Sequence, residues 1–457
     1  MIVMKFGGAS LRDPDSILKV GAIIASRINE QPVAVISAVN GVTNRLVEAT
    51  NSAFTDEGCI PDILNSIAAI HRKLAAGAIS SPPIRTSTQL SIDQLLARLE
   101  RVLYGIAYTG ECTPRTRDLI LTFGERMSVH LLAGHLNSIG CAAQSLYADE
   151  IDMVAHGPWS CGTTDREQVR NLLPPHIIST LEKGMVPVIT GYFGRTKQHQ
   201  PITFGRGGTD YSAGVIADAI NASQLEVWKD VDGFLSVAPE ISKKGKLLKY
   251  LSYDEAAELS YFGAKILHPR TVEPLFHQNI PLLIKNVYNP ESEGTHVGPE
   301  RHTHEHILKS VTFDTDIAVL RIYGAGVGYQ VGLLKTFVSS LSDFNINIKS
   351  VITSQTCINL LVEHGDLEES HRRLTKLKSD FVDVVEAVDD LALVGVVGEG
   401  LAETPGLAAR IFSVVARSNT NIEMISSGAS RVAFYFLVKK TALKTVVKAI
   451  HDEFFDR

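Results

Sequence analysis

The sequence predicts an α/β protein, with a largely parallel buried sheet up to about residue 290 and two ferredoxin-like βαββαβ modules after it. Three observations predict this. Short apolar runs alternate with helical patterns over the first part, as in a parallel sheet covered by helices. A polar stretch follows, beginning Asn289-Pro290-Glu291-Ser292-Glu293-Gly294. Beyond it the chain repeats itself.

The strands expected in the first part are Ile2–Phe6, Val33–Ala38, Val186–Thr190, Leu225–Trp228 and Leu282–Lys285. Asp13-Pro14-Asp15 opens an amphipathic stretch to about Ile28, with Pro at an early helical position. Further helical patterns start at Arg45 and run at about 210–220 and 270–276. Residues 60–135 read as mostly helical, from Leu95, Leu96 and Leu99 to Leu131 and Leu132.

The repeat emerges at an offset of 74 residues without gaps. Asp316 meets Asp390, Gly324 meets Gly398, Gly326 meets Gly400 and Gly332 meets Gly406. Asn345, Asn347 and Ile348 meet Asn419, Asn421 and Ile422. Each copy reads strand, glycine loop, helix, strand, turn, strand, helix. The second copy ends after its second helix, so a last strand is missing. The apolar run Ile307–Thr312 has the pattern to fill that place, which would interleave the two modules.

An apolar share of 45% with 21% charged residues is that of a globular chain and excludes disorder and coiled coil. No apolar run reaches the roughly 18–20 residues of a membrane span. Glycines at 7 and 8 interrupt the N-terminus before any signal-peptide core, so a cytoplasmic protein is expected. Five scattered cysteines without a CxxC pair suggest neither disulfides nor zinc. A formal charge of −6 speaks against nucleic-acid binding. His302, His304 and His306 alternate in a polar stretch and read as a solvated linker rather than a metal site.

Several segments carry chemistry. Lys5-Phe6-Gly7-Gly8-Ala9-Ser10 places an ammonium at a strand end before two glycines, which suits phosphate but equally a tight turn. Its lysine precedes the glycines, so it is no Walker A loop. Phe204-Gly205-Arg206-Gly207-Gly208-Thr209-Asp210 sets a Gly-rich backbone, an arginine and a carboxylate at a helix start. Arginine suits a bidentate carboxylate or phosphate contact, and Asp210 could hold the lysine or a metal. The bland alternative makes Thr209 an N-cap and the glycines a turn. Ser37–Asn44 offers hydroxyls and amides after a strand. Phe123-Gly124-Glu125-Arg126 sets an acid in a helix, where a surface ion pair is as good a reading. Lys229-Asp230-Val231-Asp232-Gly233 follows a strand, where open α/β sheets bind ligands. Lys265 could reach a phosphate, and His268-Pro269 reads as a helix start.

Taken in order, these segments, with Ser252–Arg270, resemble the motifs of aspartokinases, and the repeat resembles that family's tandem ACT domains. The resemblance spans essentially the whole chain. It implies an amino acid kinase fold over 1–295, a linker at 296–306, one ACT module at 314–388, and a second at 307–313 with 389–457. It implies ATP with Mg²⁺ and phosphorylation of the L-aspartate β-carboxylate to 4-phospho-L-aspartate. This step leads towards lysine, threonine and methionine. Lys5 and Asp210 match catalytic positions, and Thr43, Glu125 and Arg206 match substrate positions. Arg206 would clamp the α-carboxylate and Glu125 would face the amino group. Gly7, Gly8, Ser10, Asp230 and Lys265 would serve the nucleotide. Gly326, Asn347, Ser354 and Gln355 match the effector region, with lysine or threonine as effector. A homodimer or dimer of dimers is implied, and the monofunctional form is expected, since no dehydrogenase domain follows the repeat. The sequence departs from the family at Ala9, where Thr is usual, and at Leu235 and Glu240, where Tyr and Arg often stand. These departures leave room for a kinase of another carboxylated acceptor, and the ACT pair for an amino-acid sensor without turnover.

Overall fold

The computed structural model describes residues 1–263, 266–301, 307–377 and 381–455. Its first unit comprises Met1–Phe234, Leu247–Ala257 and Lys265–Arg301. β1 (Ile2–Phe6) and β2 (Pro32–Ile36) are buried along their whole length, as strands covered on both faces must be. Ser37 and Ala38, expected in the strand, have left it to begin the following loop. The sheet is completed by β3 (Ala143–Leu146), β6 (Val186–Thr190), β9 (Gln224–Lys229), β10 (Tyr250–Ser252), β11 (Leu282–Asn286) and β12 (Thr295–Gly298). Its order is β10-β12-β11-β9-β1-β2-β6-β3, parallel except between β11 and β12. Two hairpins stand outside it, β4 (Ala155–His156) with β5 (Thr163–Thr164) and β7 (Phe193–Arg195) with β8 (Pro201–Thr203).

The pleat decides what β1 offers to each side. Met4 and Phe6 enter a core with Ile17, Val20 and Ile24 of α1 (Pro14–Ser26). Lys5, on the opposite face, turns to α8 (Gly208–Ala219). α2 (Val42–Ser52) follows β2, and α3 (Ile60–Ala78), α4 (Pro82–Thr109) and α5 (Pro114–Ser138) pack together as the helical subregion. α6 (Arg166–Leu172) and α7 (Pro174–Glu182) come next, and the Arg170 fork on Asp218 (3.0 and 2.7 Å) ties α6 to α8. α10 (Val272–Phe276) packs on α8, while α9 (Tyr253–Tyr261) crosses the boundary between the units.

The second unit comprises Leu235–Lys246, Glu258–Ala264 and His302–Arg457. One sheet holds β14 (Ala318–Tyr323), β15 (Ser350–Thr353), β16 (Cys357–Val362) and β17 (Val384–Val388) in the order β15-β16-β14-β17. The other holds β13 (Ser310–Asp314), β18 (Leu391–Val397), β19 (Met424–Ser426) and β20 (Ala433–Lys439) in the order β13-β18-β20-β19. α11 (Leu333–Ser342) and α12 (Leu367–Lys376) belong to the first copy of the repeat, α13 (Leu407–Arg417) and α14 (Leu443–Phe455) to the second. The copies share their backbone as well as their letters. Gly326 and Gly400 (φ 85° and 82°), Gly332 and Gly406 (85° and 81°), and Asn345 and Asn419 (59° and 50°) are all left-handed. β13 occupies in its sheet the place of β17 in the other, each antiparallel to the strand that opens its copy.

The expected single domain over 1–295 divides differently, because two of its segments fold with the second unit. Val237 joins the core of Leu308 and Val311, and Ser236 Oγ lies 3.0 Å from His451 Nε2. The Val311 N–H donates to the Ser236 carbonyl (2.9 Å). Phe262 packs on Tyr435 with the rings tilted by 39° and their centroids 3.9 Å apart, and the Tyr435 hydroxyl donates to Glu258. Leu235 therefore belongs to this unit, its carbonyl accepting from Ser310 Oγ (2.9 Å), and Glu240 is exposed there. His302, His304, His306 and Lys265 lie outside the described residues. Among the described residues no helix is long and apolar enough to cross a membrane.

Candidate active site

Parallel register sets the site. Phe6, Ile36 and Trp228 are level across β2, β1 and β9, so the loops that follow all leave the same sheet edge. These are Gly7–Ser10, Ser37–Gly41 and Asp230–Gly233, at the edge where open α/β sheets bind ligands. The first loop comes close to the second. An ideal Cβ on Gly8 would stand 2.8 Å from the Ala38 carbonyl oxygen, so only glycine fits without displacement. Ser10 is buried in the short 3₁₀ turn that follows, its N–H on the Gly7 carbonyl (3.0 Å).

On the α8 side of the sheet, Lys5 forms an ion pair with Asp210, and Lys229 donates to the same carboxylate at 3.2 Å. Burial lowers the Lys5 ammonium to about 8, although the Asp210 charge opposes that. Burial alone would raise Asp210; the two ammonium groups outweigh it and hold the carboxyl at about 2. Asp210 thus serves the lysines, and its charge is compensated. Lys229 opens the segment expected at a ligand edge, but no role was expected of it alone; it stands two positions beyond Val227, the register partner of Lys5, on the same pleat face. Only knowing that β1 and β9 are neighbours could have joined it to Lys5 and Asp210.

Glu125 lies across the loops. It sits within α5, almost wholly buried, and is no surface ion pair. Its Oε1 accepts the Ala38 N–H at 3.0 Å, and its buried Oε2 has no hydrogen-bond partner among the described residues. Burial pushes this carboxyl up to about 8, the Ala38 N–H only partly opposing it. Ser128, one turn further along α5, accepts the Val39 N–H (2.9 Å) and donates to the Gly124 carbonyl (3.0 Å).

Arg206 is exposed in the turn entering α8. The N-cap of α8 is Gly207, left-handed at φ 67°, and not Thr209, which stands in the first turn. A Cβ on Gly207 would meet the His268 ring at 2.1 Å. His268 itself caps the turn Pro269–Thr271, its Nδ1 accepting the Arg270 N–H (3.3 Å). Thr43 is half-buried at the second position of α2. Asp230 is exposed, whereas Asp232 accepts from the Asn286 and Asn289 amides (2.9 and 3.2 Å). In the second unit, the Gly324–Tyr329 loop meets Ser354-Gln355 directly, Gly328 N–H donating to the Gln355 carbonyl (3.1 Å). Asn347 is exposed in the turn before β15.

A phosphate-suited sheet edge with a buried Lys5–Asp210 pair and Lys229 beside it defines a class. The sequence profile of the amino acid kinase family matches residues 1–286, and the chain belongs to that family. An ACT domain profile matches 394–454. Aspartokinase 1 of Arabidopsis thaliana, a chloroplastic protein, is 33% identical, covering 99% of this chain and 80% of its own length. The aspartokinase of Schizosaccharomyces pombe is 29% identical over 100% and 93%. Aspartokinase III of E. coli, solved in complex with aspartate and ADP (R-state), superposes with a TM-score of 0.85 at 27% identity, covering 100% of both chains. The same protein with lysine and aspartate (T-state) gives 0.81 at 26%, over 100% and 99%. Within its family this protein is an aspartate kinase, transferring phosphate from nucleotide to the β-carboxylate of L-aspartate.

Proposed function

We propose that Lys5 neutralises charge on the transferring phosphoryl group, with Asp210 holding Lys5 and Lys229 in place. The Lys5–Asp210–Lys229 cluster at the sheet edge carries this reading, because phosphoryl transfer needs positioned charge more than covalent help. Glu125 receives the ammonium of aspartate at its unpartnered Oε2, Arg206 takes the α-carboxylate, and Thr43 lines the same substrate. Gly7, Gly8 and Ser10 supply backbone and hydroxyl groups to the phosphates, with Asp230 and Lys265 at the nucleotide.

Magnesium would accompany the nucleotide. Asp210 already faces two ammonium groups and Asp232 two amides. Among the described residues no group of three or more acidic, His or Cys side chains could hold an ion. Mg²⁺ is ordinarily held by one or two carboxylates together with nucleotide phosphates and water, so the ion would come with the nucleotide.

Regulation by an amino acid is read from the ACT pair, with Gly326, Asn347, Ser354 and Gln355 at the effector site, in modules bounded at 314–388 and at 307–313 with 389–457. Lysine is the favoured effector, supported by the lysine complex of E. coli aspartokinase III. A cytoplasmic homodimer or dimer of dimers is the expected form. A coupled ADP-release assay with ATP, Mg²⁺ and L-aspartate, run with and without lysine or threonine, tests the reaction and its regulation together. Aspartate-dependent turnover suppressed by lysine is expected. Turnover indifferent to both amino acids would remove the effector reading, and ADP release independent of aspartate would remove the substrate roles.

A further inference from the structure

α5 carries a second buried carboxylate that the chemistry does not use. Asp118 stands seven residues before Glu125, two helical turns and about 10 Å along the same face. It is fully buried and accepts four hydrogen bonds. Its Oδ2 takes the N–H groups of Ser160 and Thr203 (both 2.9 Å), and its Oδ1 takes their hydroxyls (2.7 and 3.0 Å). Thr203 ends β8, three residues before Arg206.

The loop so gripped is tight from every side. Ser160 is held left-handed at φ 64°, and a Cβ on Gly205 would lie 2.8 Å from its carbonyl oxygen. The Gly162 N–H donates to the Thr203 carbonyl (2.8 Å). Arg270 binds the carbonyls of Phe204 (3.0 Å) and Gly162 (2.8 Å), its guanidinium 4.1 Å from the centroid of the Tyr211 ring. The chain leading into Arg206 is thus held, and Arg206 itself is exposed. One helix therefore sets both the Glu125 carboxylate and the strand end that presents Arg206. An α-amino acid carries its ammonium and carboxylate on one carbon, so the two receiving groups must keep a fixed separation.

We propose that Asp118 is a positioning residue for aspartate, acting through the Arg206 turn to hold its guanidinium at the right distance from Glu125. This rests on the reading of Arg206 as the α-carboxylate clamp. Misplacing a binding group by about 1 Å is enough to lose up to 10²-fold.

The test is steady-state kinetics of the full-length chain. Asp118→Asn keeps the shape and loses acceptor capacity. It should raise the KM for aspartate by about 10-fold, leaving the KM for ATP and kcat near their original values. Thr203→Val, which removes one hydroxyl from Oδ1 and keeps the N–H bond, should do the same to a smaller degree and serves if Asp118→Asn does not fold. In an Arg206→Ala background, Asp118→Asn should add little, because residues acting as a unit are not additive. An unchanged aspartate KM, equal losses in both KM values and kcat, or full additivity with Arg206→Ala would each overturn the proposal. If Arg206→Ala alone leaves the aspartate KM unchanged, the clamp reading itself fails and takes the proposal with it, an outcome visible in that single variant.

Discussion

Asp210 and Glu125 are two carboxylates on two helices of one unit, each almost wholly buried, yet their surroundings drive them apart. Asp210 meets two ammonium groups and sits at about 2; Glu125 meets backbone N–H groups but no cation among the described residues, and sits at about 8. Burial acts on both in the same direction, so the partners decide. The Asp210 charge is compensated by the lysines beside it, whereas the buried Glu125 Oε2 has no hydrogen-bond partner among the described residues. A ligand ammonium at Glu125 would be favoured twice, by pairing and by relieving an isolated buried acid.

The sharpest way to break this contrast is at its compensated end. Lys5→Ala should lower kcat by about 10²–10³-fold, the range for losing one preorganised electrostatic group, with the circular dichroism spectrum unchanged. Near-normal turnover would remove Lys5 from its role. Asp210→Asn should lower kcat less. It should also shift the alkaline limb of the kcat/KM profile for ATP downward from about 8, because the Asp210 charge is what opposes the lowering of Lys5 by burial.

At the open end, Glu125→Gln should raise the aspartate KM by about 10-fold or more. In the parent protein, kcat/KM for aspartate should climb with pH up to about 8 as Glu125 ionises, since this parameter reports the free enzyme. The glutamine variant should lose that climb. Stability should move the other way. A carboxyl raised from 4.5 to about 8 favours the folded state below its unfolded value, and that contribution is lost as pH rises through the folded one. The melting temperature of the ligand-free protein should therefore fall between pH 5 and pH 9, less steeply in Glu125→Gln, and aspartate should restore it. The smallest change is Ser128→Ala, which frees the Val39 N–H. It should raise the aspartate KM by about 2- to 5-fold, from a hydrogen bond worth about 1 kcal/mol.

Much of this contrast was legible in the sequence, though unevenly. The strands leading to the site announce themselves as apolar runs because both faces are buried, and Lys5 interrupts one of them conspicuously. Glu125 was visible as an acid in a helix, but burial decides between surface ion pair and buried acceptor, and periodicity does not fix burial in a helix that buries polar and apolar residues alike. Lys229 and Asp118 act through partners 19 and 42 or more residues away. Such contacts need the strand order and the hairpins, neither of which a local pattern contains. The short β10 and β12 escaped for the same reason, and the transfer of Leu235–Lys246 to the second unit depends on packing against residues some 70 and 215 positions later. The internal repeat was the clearest signal, because its left-handed positions demand glycine or asparagine in both copies.

The placement of β13 also bears on the order in which the chain takes shape during synthesis. Its sheet partner β18 begins 77 residues after β13 ends, and the whole first copy of the repeat is made in between. The ribosome therefore delivers the inner sheet complete while the outer one waits with a single strand. Until residues 391–397 emerge, β13 presents an unpaired edge beside a folded neighbour, the situation in which chains exchange strands with one another. Nested modules of this kind close from the inside outward, and their slowest contact spans the longest loop.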